Sequence, residues 1–223
     1  MKVNEEKKWK LYDDQNNNFF SKSFEDNKDL TSYWWFDFIY REIYNWEHSE
    51  TGCVYEMWDC VMKPGDVVVD LGANCGFFTE RASAIASKVI AIDGSPESYA
   101  CLVENCKDSE NVQTLNASIL SKDSNPSHLW TKKGNPLRMT LEEVMDLYKI
   151  DKIDFLKCDI EGGEYELFKS LPPETLAKID RIAIETHDEK ENETFFLHGK
   201  IRHSFLWNYD GGSQTMFYFV TPK

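Results

Sequence analysis

The sequence has no Cys-x-x-Cys pair and no histidine at zinc-finger spacing; its six cysteines are scattered at 53, 60, 75, 101, 106 and 158. That pattern disfavours a zinc or disulfide scaffold and leads us to expect buried free thiols in a reducing compartment. No apolar run approaches the ~18 residues that cross a bilayer, and the start MKVNEEKKWK lacks the apolar core of a secretion signal. A cytoplasmic chain without a membrane span is the expectation. Basic residues are scarce, 25 against 39 acidic ones, so the net charge is −14. Nucleic acid demands a basic stripe, and none is expected as a partner. What the chain does have is 41% hydrophobic and 14% aromatic residues over 223 positions, enough to exclude disorder and to build one core.

Composition shifts near residue 55. Before it the chain is polar and then aromatic: within residues 30–46, Trp35, Phe36, Ile39, Ile43 and Trp46 follow helical spacing. Residues 1–51 are therefore read as a helical N-terminal extension that packs on the main domain or covers an acceptor. From residue 52 to 223, strands and helices alternate. Val67–Leu71 is a short apolar run of the kind buried on both faces of a parallel sheet, and Val89–Ile92, Val112–Leu115, Ile153–Cys158 and Arg181–Thr186 read as the strands that follow it. Helices are expected after Gly76, after the cap Ser95 with Pro96, after the capping box Thr140–Glu143, and from Gly163 to Leu171. Residues 204–209 and 215–220 around Gly211-Gly212 read as a terminal antiparallel hairpin. The sum is an α/β, Rossmann-like, mostly parallel seven-stranded sheet closed by an antiparallel hairpin.

In such sheets the ligand lies beyond the carboxyl ends of the strands. Those ends carry Asp70-Leu-Gly-Ala-Asn-Cys-Gly76, Asp93, Asn116, Asp159 and Glu185, with His187 just past the last. The spacing of Gly72 and Gly76 is not the Gly-x-Gly-x-x-Gly that admits a pyrophosphate, so a dinucleotide is disfavoured. It does allow a tight turn and a helix start at Phe77 that faces a carboxylate. Asp93 can accept two hydrogen bonds from a ribose diol. A nucleoside with a small charged tail and no pyrophosphate fits, and S-adenosylmethionine answers that description.

Several separated motifs over roughly residues 52–188 then resemble the FkbM family of S-adenosylmethionine-dependent methyltransferases. They are Glu56 ahead of KPGDVVVDLGANCGFFTERA, then VIAIDGSPES, TLEEVM with IDFLKCDIEGGEYELFKSL, and IAIETH. The element Asp159-x-Glu161-Gly162-x-Glu164 is the most specific. The resemblance implies that Asp70, Gly72, Ala73, Asn74 and Gly76 shape the cofactor loop with Phe77 behind it. It implies that Asp93, Gly94 and Ser95 hold the ribose, that Asn116 and Ala117 border the adenine, and that Asp159 lies beside the sulfonium.

The chemistry expected is O-methylation of a hydroxyl, most often of a sugar in a glycan or glycosylated metabolite. Asp159, Glu185 or His187 takes the acceptor proton, or two of them hold a divalent cation. The acceptor is a small molecule or glycan; the metal ligands and oligomeric state stay open. Methylation of a nitrogen on a small molecule or protein, and a non-catalytic cofactor-binding protein, remain alternatives.

Overall fold

The computed structural model describes residues 7–13, 18–22, 43, 49–120, 137–187, 196–209 and 212–222. The main sheet contains β3 (Val67–Leu71), β4 (Lys88–Asp93), β5 (Val112–Ile119), β6 (Leu137–Met139), β7 (Ile153–Cys158), β8 (Ile179–Thr186), β9 (Ile201–Tyr209) and β10 (Gly212–Val220). Their order is β6-β5-β4-β3-β7-β8-β10-β9. β10 runs antiparallel to β8 and β9, and the other neighbours are parallel. The sheet thus has eight strands where seven were expected. The extra one is the three-residue β6, too short to show a period, which pairs Ala117–Ile119 with Leu137–Met139. It lengthens the expected third strand, which continues past Leu115 to Ile119.

β3 and β7 match their sequence ranges because each is an apolar run with both faces covered. One face carries a cluster that includes Val68, Val89, Phe78, Phe155, Ala183, Met216 and Tyr218. The other carries Val69, Ile90, Leu156, Ile182, Ile184, Phe217 and Phe219. The helices are α1 (Phe77–Ser83), α2 (Pro96–Asn105), α3 (Leu141–Tyr148), α4 (Glu164–Ser170) and α5 (Pro173–Leu176). Ser95 caps α2 by accepting from the Ser98 amide at 3.2 Å, and Thr140 with Glu143 closes the capping box of α3. All six cysteines are free and buried. No helix among the described residues is long and apolar enough to cross a membrane.

The N-terminal extension contains an element that the expectation of a helical segment lacked. β1 (Trp9–Asp13) and β2 (Asn18–Lys22) form an antiparallel hairpin. Its Lys- and Asn-rich sequence hid the alternation, but Trp9 and Leu11 are fully buried and anchor one face. The expected aromatic helix over 30–46 lies outside the described residues, apart from Ile43, which is helical and buried. The turns read at 123–127 and 132–136, and the acidic run from Asp188 to Glu193, also lie outside them.

Candidate active site

Register brings the strand ends to one level. Leu71 pairs with Ile92 on one side and with Cys158 on the other, and Cys158 pairs with Ile184. The next residue along β4 and β8, and the one beyond β3 and β7, are Asp93, Glu185, Gly72 and Asp159. Asp93 pairs with Asn116 across β4 and β5. The strand order reverses between β3 and β7, which is where such a sheet opens a crevice.

The loop after β3 is held tightly. The amides of Gly72 and Ala73 both donate to the Ile92 carbonyl, at 3.0 and 2.9 Å. Gly72 has φ +73°, and a Cβ there would sit 1.6 Å from the Asp159 carbonyl oxygen, so only glycine lets the two strand ends meet. At Gly76, φ +95°, a Cβ would press on Leu102 and Cys106 of the helix behind. Ala73 and Phe77 are buried, and Phe77 faces the Trp9 ring with centroids 4.2 Å apart.

Asp93 accepts from the Asn74 amide at 2.7 Å and from the Ser95 amide at 2.8 Å. Burial nevertheless pushes its carboxyl up to about 6. Asn116 donates to the Asp93 carbonyl at 2.8 Å. A Cβ on Gly94 would come 2.7 Å from Ser118 Oγ, so this turn runs close to β5; Ala117 is buried.

Beneath the loop, Asp70 is fully buried and accepts from Thr79 Oγ1 at 2.6 Å. Burial raises its pKa, opposed by Lys157 and by the Thr79 bond. Lys157 itself is buried: its ammonium donates to the Gly72 carbonyl at 2.5 Å and lies 3.3 Å from Asp70 Oδ1 and 3.7 Å from Asp159 Oδ2. Burial would lower its pKa, but the charges of Asp70 and Asp159 outweigh that and hold it well above the ordinary lysine value. The cation thus ties β3, its loop and the end of β7 together.

At the ends of β7 and β8, the Tyr55 hydroxyl lies 2.8 Å from Asp159 Oδ2 and 2.9 Å from Glu185 Oε2. A phenol has one proton to donate, so one of these two contacts requires the carboxyl to carry the hydrogen. Burial, with the nearby charge of Asp159, pushes Glu185 up to about 8, which makes it the protonated partner near neutral pH. Asp159 Oδ1 is buried with no hydrogen-bond partner.

His187 joins the cluster from beyond β8. Its Nδ1 is 3.2 Å from Glu164 Oε1, and its Nε2 is 3.4 Å from Glu161 and 4.0 Å from Asp159. Burial opposes protonation, yet the Glu164 bond and the charges of Asp159, Glu164 and Glu161 raise the imidazole to about 9. Glu164 is fixed by accepting from the amides of Ile160 and Gly162.

The residues expected from strand ends therefore come together at the carboxyl edge of the sheet, the Asp70–Phe77 loop, Asp93 and Asn116 on one side of the β3–β7 switch point and Asp159, Glu185 and His187 on the other. Two further residues, Tyr55 and Lys157, were not anticipated at the site. Tyr55 lies in the loop ahead of β3, which is pinned by the buried Glu56–Arg81 ion pair at 2.7 Å and by the Tyr218 hydroxyl donating to the Val54 carbonyl. Lys157 lies inside β7, where a lysine between Leu156 and Cys158 was the available signal. Glu161, already part of the motif after β7, takes a left-handed φ of +58° with its side chain largely exposed and 3.4 Å from His187 Nε2.

The Methyltransferase FkbM domain profile matches residues 66–210. A tRNA (guanine(37)-N(1))-methyltransferase of Aedes aegypti is 38% identical over 74 residues, 32% of this chain and 12% of that enzyme. The chain thus spans about an eighth of the length of this curated relative. Among solved structures, an rRNA methylase from Streptococcus thermophilus aligns at 15% identity and TM-score 0.48, over 73% of this chain and 90% of that one. M. capricolum TrmK in complex with S-adenosylhomocysteine aligns at 12% identity and TM-score 0.49, over 73% and 65% of the two chains. The profile match covers more than half of the sequence and includes every strand-end motif named above from Asp70 to His187. The chain belongs to the Methyltransferase FkbM domain family, whose members are S-adenosylmethionine-dependent methyltransferases.

Proposed function

We propose that this chain methylates a hydroxyl group, with a sugar of a glycan or glycosylated metabolite as the acceptor. The observation that carries the reading is Asp159: its Oδ2 is bound to Tyr55 and lies 3.7 Å from Lys157, which also holds the Gly72 carbonyl, while Oδ1 is buried without a hydrogen bond, 4.0 Å from His187 Nε2. The sulfonium methyl needs little activation, so the protein's task is to align the acceptor oxygen, exclude water and receive its proton. As the oxygen–carbon bond forms, the carbon–sulfur bond breaks, sulfur keeps the electron pair, and the hydroxyl proton passes to Asp159. Tyr55 and Glu185 hold that carboxylate in place. Asp70, Gly72, Ala73, Asn74, Gly76 and Phe77 shape the cofactor loop in this reading. Asp93, Gly94 and Ser95 hold the ribose, and Asn116 with Ala117 borders the adenine.

The relative's name points instead to a guanine nitrogen in tRNA. The acids on the acceptor side, Asp159, Glu161, Glu164 and Glu185, favour a neutral acceptor over one framed by phosphates. The deciding experiment offers tritiated S-adenosylmethionine with a panel of saccharides, amines and transfer RNA. The proposal expects label on a saccharide as an ether. Label confined to RNA or amines would refute it.

A further inference from the structure

Resting on that reading, we propose that Asp159, Glu161 and His187 form a divalent-cation site that takes the acceptor hydroxyl as a further ligand. One donor atom from each, a carboxylate oxygen from the two acids and a ring nitrogen from His187, lies within 4.8 Å of the others. Two ligands at ~2.1 Å from a six-coordinate ion stand about 3 Å apart. The His187 Nε2–Glu161 distance of 3.4 Å is already close to that, and Glu161 has the freedom of an exposed side chain to close further.

Independent features point the donors at a common centre. Glu164, locked by backbone amides, faces Nδ1 of His187; with Nδ1–H donating to it, Nε2 is the nitrogen turned to Asp159 and Glu161, and an entering cation would displace its proton to take the lone pair. Asp159 Oδ1 is buried and has no hydrogen-bond partner, although its companion oxygen is held by Tyr55. Glu161 stands 3.4 Å from His187 Nε2 on a backbone in the left-handed region that non-glycine residues seldom adopt. Glu185, one of the acids expected to bear on a cation, is set apart: its carboxyl is buried against Tyr55.

Two carboxylates and one imidazole suit Mn²⁺ or Mg²⁺, and three protein ligands leave positions for water and substrate. With Asp159 Oδ1 on the ion, the cation would act as a Lewis acid on the hydroxyl, lowering its pKa, and the proton would pass to Asp159 Oδ2, the oxygen beside Tyr55.

The test titrates the full chain with Mn²⁺ and follows the free-ion electron paramagnetic resonance signal. It uses the unaltered protein, Glu161→Gln, His187→Gln and the surface control Glu174→Gln. A thermal shift with S-adenosylhomocysteine is measured on each, to show that fold and cofactor site persist. The proposal expects one Mn²⁺ per chain, an affinity reduced by at least about tenfold in Glu161→Gln and His187→Gln, and no change in Glu174→Gln. No binding at millimolar Mn²⁺, or equal affinity in Glu161→Gln, would overturn it. Because the readout is the metal itself, this outcome is separate from that of the acceptor panel: label on RNA would refute the sugar reading and leave the ligand set standing.

Discussion

The Asn105 side-chain amide donates to the Cys75 carbonyl at 2.8 Å, tying the end of α2 to the loop that turns into α1. The same amide donates to the Lys10 carbonyl at 2.9 Å, and its oxygen accepts from the Lys10 amide at 2.7 Å. The N-terminal hairpin is thereby bolted to the back of the cofactor loop, with Trp9 against Phe77 completing the contact. Asn105→Ala strips partners from buried backbone groups and should cost about 1–3 kcal/mol of stability. Its calorimetric affinity for S-adenosylhomocysteine should fall as well. A variant of normal stability and affinity would show that the hairpin only covers surface.

Glycine at 72 is required by space as much as by conformation. Gly72→Ala drives a methyl into the Asp159 carbonyl, whereas Gly65→Ala, at φ +92°, meets nothing within 4 Å. Urea unfolding should therefore show a penalty of about 1–2 kcal/mol for Gly65→Ala, set by the left-handed backbone alone. The penalty for Gly72→Ala should be clearly larger, with cofactor affinity lost alongside. Equal penalties would mean that the loop and the β7 end separate freely.

Tyr55→Phe keeps the ring and removes the hydroxyl between Asp159 and Glu185. Losing a hydrogen bond to a charged group costs about 1.5–3 kcal/mol, so kcat should drop roughly ten- to hundredfold. KM for the cofactor should change little, because Tyr55 faces the acceptor acids. A rise in KM with kcat intact would place Tyr55 in binding instead.

If Asp93 holds the cofactor ribose as proposed, cofactor binding should be sensitive to acid. Its folded value of about 6 lies above the ~3.9 of an unfolded aspartate, so the folded chain holds the proton more strongly. Its contribution to stability is present below about pH 4 and is lost as the pH rises through about 6. The proposed ribose recognition would run the other way, since the ionised carboxylate is the form that accepts from both hydroxyls. Affinity for S-adenosylhomocysteine should weaken between pH 7.5 and 5, and Asp93→Asn should bind weakly with that slope removed. An unchanged slope in Asp93→Asn would assign the pH dependence to another group.

The sheet and the cofactor-loop end of the crevice were readable because β3, β4 and β7 are apolar runs ended by chemistry-bearing residues. What could not be read was held by long-range contacts. Tyr55 belongs to no strand, and its position depends on Glu56–Arg81 and on Tyr218, distant in sequence. Glu161 reads as a helix-opening acid until its left-handed backbone is known. The β1–β2 hairpin shows little alternation on its polar face, and β6 is too short to have a period.

Binding of S-adenosylmethionine at the ends of β3 and β4 has a direct thermodynamic signature. Thermal unfolding of the full chain with S-adenosylhomocysteine at ~100 times its dissociation constant should show a stabilisation of about 2.7 kcal/mol, with no shift from NAD. Asp93→Ala should lose most of that shift. No stabilisation of the unaltered protein at millimolar S-adenosylhomocysteine, or an equal shift with NAD, would contradict it.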